Sequence, residues 1–197
     1  MEVASRLFER VFHASGTSSS NTTATNATED NADAVTTTEN SILRAEIAHL
    51  SAFGIPGRRD PSTPRAKVSD WYSCGFRKPK SIPWSMDVTQ DHIEKLIRGF
   101  APRKLEEKWF IYSEDVYEDE RVSRLKVSMS LTWEGDRIFE LDVAFSDETD
   151  ASGVPVSAKI VALTYETQKK IVDSADDDWA KSQAQEICSW VLGVALE

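Results

Sequence analysis

The sequence predicts an α+β fold, an antiparallel sheet of about four to five strands with two helices packed on one face and a disordered N-terminal third. Two observations predict the sheet: residues 124–133 alternate between apolar and polar side chains, and residues 137–145 alternate again after Gly135. A third observation predicts the helices, because apolar residues recur at helical spacing on both sides of these runs.

The N-terminal third, residues 1–54, is expected to contain little stable structure. Residues 3–14 could form a short amphipathic helix, read either as a docking helix or as a mitochondrial presequence; Glu2 and Glu9 count against the presequence. Residues 15–41 are almost wholly Ser, Thr, Asn, Ala and acidic, and therefore predict a disordered linker. A short helix is predicted from Asn40 or Ser41 to about Ser51, ended by Gly54.

Residues 55–83 form a basic, proline-rich strap with interleaved aromatic side chains. Its prolines fit neither a helix nor a central strand. Three interpretations stay open. The strap could lie against an acidic sheet in the same molecule, clamp an anionic ligand or single-stranded nucleic acid, or expose residues 56–64 for phosphorylation.

Residues 84–197 are predicted to form a single α+β domain. A helix should begin at Asp87, with Gln90 as its capping-box partner, and end at Gly99. The hairpin follows: Leu125, Val127, Met129, Leu131 and Trp133 are expected on its buried face, and Gly135 in its turn. Residues 155–165 are apolar on both faces, which indicates a central strand. The acidic run 176–178 places negative charge at the positive end of the final helix, and Gly193 ends this helix.

Composition limits the classes of function. The 197 residues carry a net charge of −10, which disfavours duplex DNA and anionic membranes as partners. No apolar run is long enough to span a bilayer, and no signal peptide is visible. Cys74 and Cys188 lack metal-ligand spacing and favour a reducing compartment, cytoplasmic or nuclear, with the mitochondrion as the alternative.

No catalytic residue, metal ligand or cofactor is predicted. The only histidines are His13, His49 and His92, and no nucleophile–base arrangement is recognisable around them. The 8 glycines are scattered singly, so no phosphate-binding loop is present. Two carboxylate pairs, Glu106–Glu107 and Glu140–Asp142, are interpreted as solvated surface charges.

One group of side chains could bind a nucleotide-like anion. The polar face of the hairpin and the strap combine cations with aromatic rings, a pattern that can hold a phosphate-bearing ring. The candidates are Arg124, Lys126, Trp133, Arg137, Tyr112, Arg77 and Lys78. The same cations could instead pair across the strands with Glu140 and Asp142.

Several stretches resemble a small, functionally uncharacterised domain of bacterial and fungal proteins. They are Phe100–Tyr112, with its Lys-Trp-Phe-Ile-Tyr run, Thr132-Trp133-Glu134-Gly135, Ile138–Leu141 and Glu186–Leu196. The resemblance covers roughly residues 84–197. It departs from the pattern at Leu131, where relatives have arginine, and at Glu134, where they have threonine. In bacteria this domain is sometimes attached to ADP-ribosylglycohydrolase or macro-type domains. The resemblance therefore implies an accessory role near ADP-ribose or nucleotide metabolism and assigns no activity.

The functional prediction is a non-enzymatic intracellular accessory module whose partner is another protein. The alternatives are a small-ligand binder or enzyme that uses the polar hairpin face, and a nucleic-acid binder that uses the basic strap.

Overall fold

The computed structural model describes residues 49–50, 53–55, 63–119, 122–151, 155–172 and 175–196, all within one compact unit, Leu43–Glu197. The predicted N-terminal helix, the linker 15–41 and most of the helix at 40–51 lie outside the described residues. His49, Leu50 and Phe53 are helical, and Gly54, with φ of 77°, follows them as predicted.

The described residues form one antiparallel sheet, which confirms the predicted fold class. Its strands are β1 (Pro79–Thr89), β2 (Trp109–Ser113), β3 (Tyr117–Asp119), β4 (Val122–Leu131), β5 (Arg137–Phe145) and β6 (Ser157–Glu166). The order is β1-β6-β5-β4-β2, with β3 paired to β4. The predicted central strand is β6, which lies between β1 and β5.

Strand β1 was not expected, because its prolines predicted an irregular strap. The strand lies at the sheet edge and pairs only with β6 in the described part of the chain. An edge strand leaves one side of its backbone unpaired, so Pro79 and Pro83 can be accommodated without removing a bond that the sheet needs. The predicted helix start at Asp87 is therefore wrong.

Helix α1 spans Gln90–Arg98, and helix α2 spans Asp177–Ile187 and continues as a π-helical turn, Cys188–Leu192. Thr89, without a side-chain cap bond, precedes α1, so the capping box at Asp87 is also wrong. At α2 the prediction is confirmed: the Asp176 carboxylate accepts a bond from the backbone N–H of Trp179 at 2.8 Å. Positive φ at Gly99 and Gly193 ends the two helical segments as predicted.

The core lies between one sheet face and the two helices. Met129, Phe139 and Tyr165 occupy neighbouring positions on β4, β5 and β6, and all are fully buried. Ile93 and Leu96 of α1 and Ile187 of α2 are buried in the same cluster. The ring of Trp179 packs 5.6 Å from that of Phe139.

The opposite sheet face differs from the prediction. Ser128, Ser130 and Thr132 are buried instead of solvent-exposed, because residues 65–77 contact this side of the hairpin. Trp133 is exposed instead of buried, because Leu131 N–H bonds to Asp136 O and the chain turns there, which ends the alternation. Glu107 and Glu140 are buried as well, so their interpretation as solvated charges was wrong.

Candidate functional site

Residues 65–78 lie across the sheet face opposite the helices and form hydrogen bonds with β2 and with the hairpin. The Arg65 guanidinium donates from Nε to Ser113 Oγ at 2.9 Å and from Nη2 to Ser113 O at 3.0 Å. Further along, Trp71 Nε1 donates to Thr132 O at 2.8 Å. Ala66 and the half-buried Trp71 belong to a small apolar cluster on this side. Hydrogen bonds between residues distant in sequence therefore hold this segment in place, and little apolar surface is buried beneath it.

Glu166, at the end of β6, fixes the point where this segment enters β1. Its buried carboxylate accepts bonds from the backbone N–H groups of Arg77 (2.6 Å), Lys78 (2.8 Å), Thr167 (2.9 Å) and Gln168 (2.8 Å). Burial by itself raises the pKa of Glu166, but these four donors more than offset it and hold the pKa below its ordinary value. Nothing in the sequence distinguished this glutamate from other acids at strand ends.

Arg137 is the centre of a charge network on the same face. It donates to Glu140 Oε2 at 2.6 Å and to the Tyr112 hydroxyl at 2.6 Å. Its guanidinium lies 5.6 Å from the ring of Phe76 and 5.8 Å from that of Tyr112. The other oxygen of Glu140 pairs with Lys126 at 3.0 Å, and this hydrogen bond raises the pKa of Lys126.

Arg124 continues the network toward β3. Its Nη1 lies 3.0 Å from Asp142 and its Nε 3.2 Å from Asp119. The hydroxyl of Tyr117 also donates to Asp142, at 3.3 Å. Each of the three hairpin cations proposed for an anion site thus has a carboxylate partner. Arg124 and Lys126 pair across the strands with Asp142 and Glu140, the alternative left open by the sequence, whereas Arg137 pairs with Glu140 of its own strand.

The structure brings four of the seven candidate residues onto one face and places the others elsewhere. Tyr112, Arg124, Lys126 and Arg137 line the β2–β4–β5 surface. Arg77 pairs instead with Asp136 at 3.4 Å, and the Lys78 side chain is exposed at the start of β1. Trp133 lies in the hairpin turn, where the Lys108 ammonium is 5.5 Å from its ring.

A second feature, which the sequence did not indicate, surrounds this turn. Tyr72, Leu105 and Trp133, called the turn patch below, are 68%, 54% and 43% exposed. The Tyr72 ring packs against Gly135, whose positive φ and close approach leave no room for a Cβ.

Hydrogen bonds fix the backbone beneath the turn patch. Thr132 donates through Oγ1 to Leu105 O at 3.1 Å and through its backbone N–H to Lys108 O at 3.0 Å. On the other side, Cys74 N–H bonds to Gly135 O at 2.6 Å. The patch therefore presents three large apolar side chains on a fixed frame.

Among the described residues, no three His, Cys, Asp or Glu side chains come close enough to hold a metal ion. Both cysteines are free, and burial raises the pKa of Cys188 to about 12, so its thiol stays protonated at neutral pH. In that same part of the chain, no helix is long and apolar enough to cross a membrane.

Comparison of the chain with family models, with curated proteins and with solved structures finds no match.

Proposed function

We propose that this chain is a non-enzymatic accessory module that binds another protein through the turn patch. The observation that carries the proposal is the exposure of Tyr72, Leu105 and Trp133 around one hydrogen-bonded turn. Aromatic side chains on a fixed backbone bury large areas on binding at little cost in conformational entropy, and they are enriched at the energetic centres of protein interfaces. A cluster of large exposed apolar groups on a soluble domain is typical of such a surface.

The pairing of the hairpin cations favours this function over the nucleotide-like alternative. A phosphate bound at Arg137 or Lys126 would compete with the buried Glu140 carboxylate, which already pairs with both cations. The alternative predicts that ADP-ribose or a nucleotide raises the melting temperature in a thermal-shift screen. The nucleic-acid alternative predicts binding to single strands that weakens steeply with added salt. If no ligand raises the melting temperature and no single strand binds, both alternatives are excluded and the protein-binding proposal remains.

The proposed setting is intracellular, cytoplasmic or nuclear, and the free thiols of Cys74 and Cys188 support a reducing compartment. The resemblance of residues 84–197 to the small bacterial and fungal domain supports an accessory role and is part of the same proposal.

Site-specific photo-crosslinking in living cells tests the proposed surface. A photoreactive residue replaces Leu105 in the full chain, and equally exposed control positions are Val68 (58%) and Val116 (56%). We expect a discrete adduct at 105 and none at the controls. The substitution Trp133→Ser should remove the adduct, and Val116→Ser should leave it. An adduct that survives Trp133→Ser, or no adduct specific to position 105, contradicts the proposal.

A further inference from the structure

A cleft of about 520 Å³ opens between residues 65–69 and residues 112–115, which are the end of β2 and the start of its connection to β3. Its volume falls within the range typical of small-molecule sites. The exposed Val68 lies on one side, and the lining also includes Tyr112, which is only 2% exposed. The cleft therefore offers apolar contact as well as the charged groups described next.

One side of the cleft carries two cations. The Arg65 side chain is held in place by Ser113 Oγ and by the backbone oxygens of Ser113 and Glu114. These bonds use Nε and Nη2, and among the described residues neither Arg65 Nη1 nor Lys67 Nζ has a hydrogen-bond partner. Two donors suited to a carboxylate are thus available, one of them on a side chain that is already positioned.

Beside Arg65, residues 114 and 115 of the lining carry two carboxylates. The Asp115 side chain is fully exposed, and its nearest cation is Arg65 Nη2, 4.0 Å away. Glu114 lies 3.7 Å from Arg137. An acceptor for an ammonium group therefore lies directly beside the donors for a carboxylate.

We infer that this cleft binds a zwitterionic small molecule of the class of α-amino acids with an apolar side chain. In such a molecule one carbon separates the carboxylate from the ammonium group, which suits a site where the Arg65 guanidinium, measured at Nη2, lies 4.0 Å from the Asp115 carboxylate. The ligand carboxylate bonds to Arg65 Nη1 and Lys67 Nζ, its ammonium to Asp115, and its side chain contacts Val68. An anion alone would face both carboxylates, and a cation alone both basic groups, so either is disfavoured.

A set of three probes tests both charges at once. Leucine, N-acetylleucine and leucinamide have the same side chain, but the second lacks the ammonium and the third lacks the carboxylate. Binding to the full chain is followed by NMR titration with probe concentrations up to about 10 mM. At that concentration a complex with a Kd of about 1 mM is mostly formed. We expect leucine to bind at least about tenfold more tightly than either derivative, a difference of about 1.4 kcal/mol.

Matched variants assign the site. Asp115→Asn and Lys67→Gln should each weaken leucine at least about fivefold, as loss of one charge-assisted bond implies. Asp147→Asn and Lys104→Gln, at exposed positions outside the cleft, should have no effect. Leucine that fails to bind, three probes that bind equally, or controls that weaken binding as much as the cleft variants would each overturn the inference. Because none of these residues belongs to the turn patch, the result is independent of the proposed protein interaction.

Discussion

The two faces of the sheet are stabilised in different ways. On the face that packs against α1 and α2, called the helix face below, Val127, Met129, Leu141 and Leu163 are fully buried in the core. The opposite face, called the strap face below, is covered by residues 65–78, which contain only a short 3₁₀ turn. On this face, cations and carboxylates alternate across β4 and β5. Apolar burial is non-directional and tolerant of small shifts, whereas hydrogen bonds and ion pairs require defined geometry. The helix face therefore carries most of the stability, and the strap face carries the shape of the binding surfaces.

The largest expected effect is on the helix face. Leu141→Ala removes a fully buried side chain at the centre of the sheet and leaves a cavity, so we expect a loss of about 2–5 kcal/mol in the free energy of unfolding. Urea denaturation followed by tryptophan fluorescence measures it. Val116→Ala, at an exposed site, should change the value by less than about 0.5 kcal/mol. A loss below about 1 kcal/mol at Leu141 would show that the helix face is not the main source of stability.

On the strap face, the Arg137–Glu140 pair should behave differently. Arg137→Met leaves the buried Glu140 carboxylate with Lys126 as its remaining partner, and we expect a loss of about 2 kcal/mol. Replacing both residues by apolar ones should cost less than the single change, because no unpaired charge then stays buried. Urea denaturation of Arg137→Met, of the corresponding apolar change at Glu140 and of the double variant forms a double-mutant cycle. Additive losses would mean that the pair is not coupled.

This contrast also explains what could be predicted from the sequence. Alternation at 125–131 and 139–145 reports burial on one face of a strand, a local property, and it identified the hairpin and most of the core correctly. The glycines that end the helices are equally local signals. Trp133 continued the alternation by one residue, but a backbone turn, which side-chain type does not encode, ended the strand before it.

The candidate site was less predictable because its partners are distant in sequence. Arg65 bonds to Ser113, 48 residues away, and Arg77 to Glu166, 89 residues away. Sequence patterns gave the residue types of the charge network and its two alternative roles. They gave no signal for Glu166, for the turn patch or for the cleft, because each forms only when the strap meets the sheet.

Glu166 allows a pH-dependent test of how the strap is attached to the sheet. Its pKa is lower in the folded state than the unfolded value of about 4.3, so its stabilisation is present above that value and is lost as pH falls through the folded pKa. Glu166→Gln places an amide N–H₂ against backbone donors and should cost about 1–2 kcal/mol at pH 7.

The cost of Glu166→Gln should shrink as the pH is lowered toward about 3, since protonation then weakens the wild-type interaction as well. Urea denaturation across this pH range measures it. Glu94→Gln, at an exposed position of α1, serves as the control and should show no such convergence. A cost that is the same at pH 7 and at low pH would mean that the carboxylate charge is not what the backbone donors recognise.

The smallest expected effect concerns Lys108, which joins the strap face to the turn patch through its carbonyl bond to Thr132. Lys108 has φ of 58° and ψ of −39°, a conformation that costs a residue with a Cβ about 1–3 kcal/mol. Lys108→Ala and Lys108→Gly both remove the contact of the ammonium with Trp133, so their difference isolates the backbone. At an ordinary position glycine is less stable than alanine by about 0.5–1 kcal/mol. Here we expect Lys108→Gly to be more stable than Lys108→Ala by about 1 kcal/mol in urea denaturation. The opposite order would mean that the frame beneath the turn patch is unstrained, and that its geometry needs no support from the surrounding hydrogen bonds.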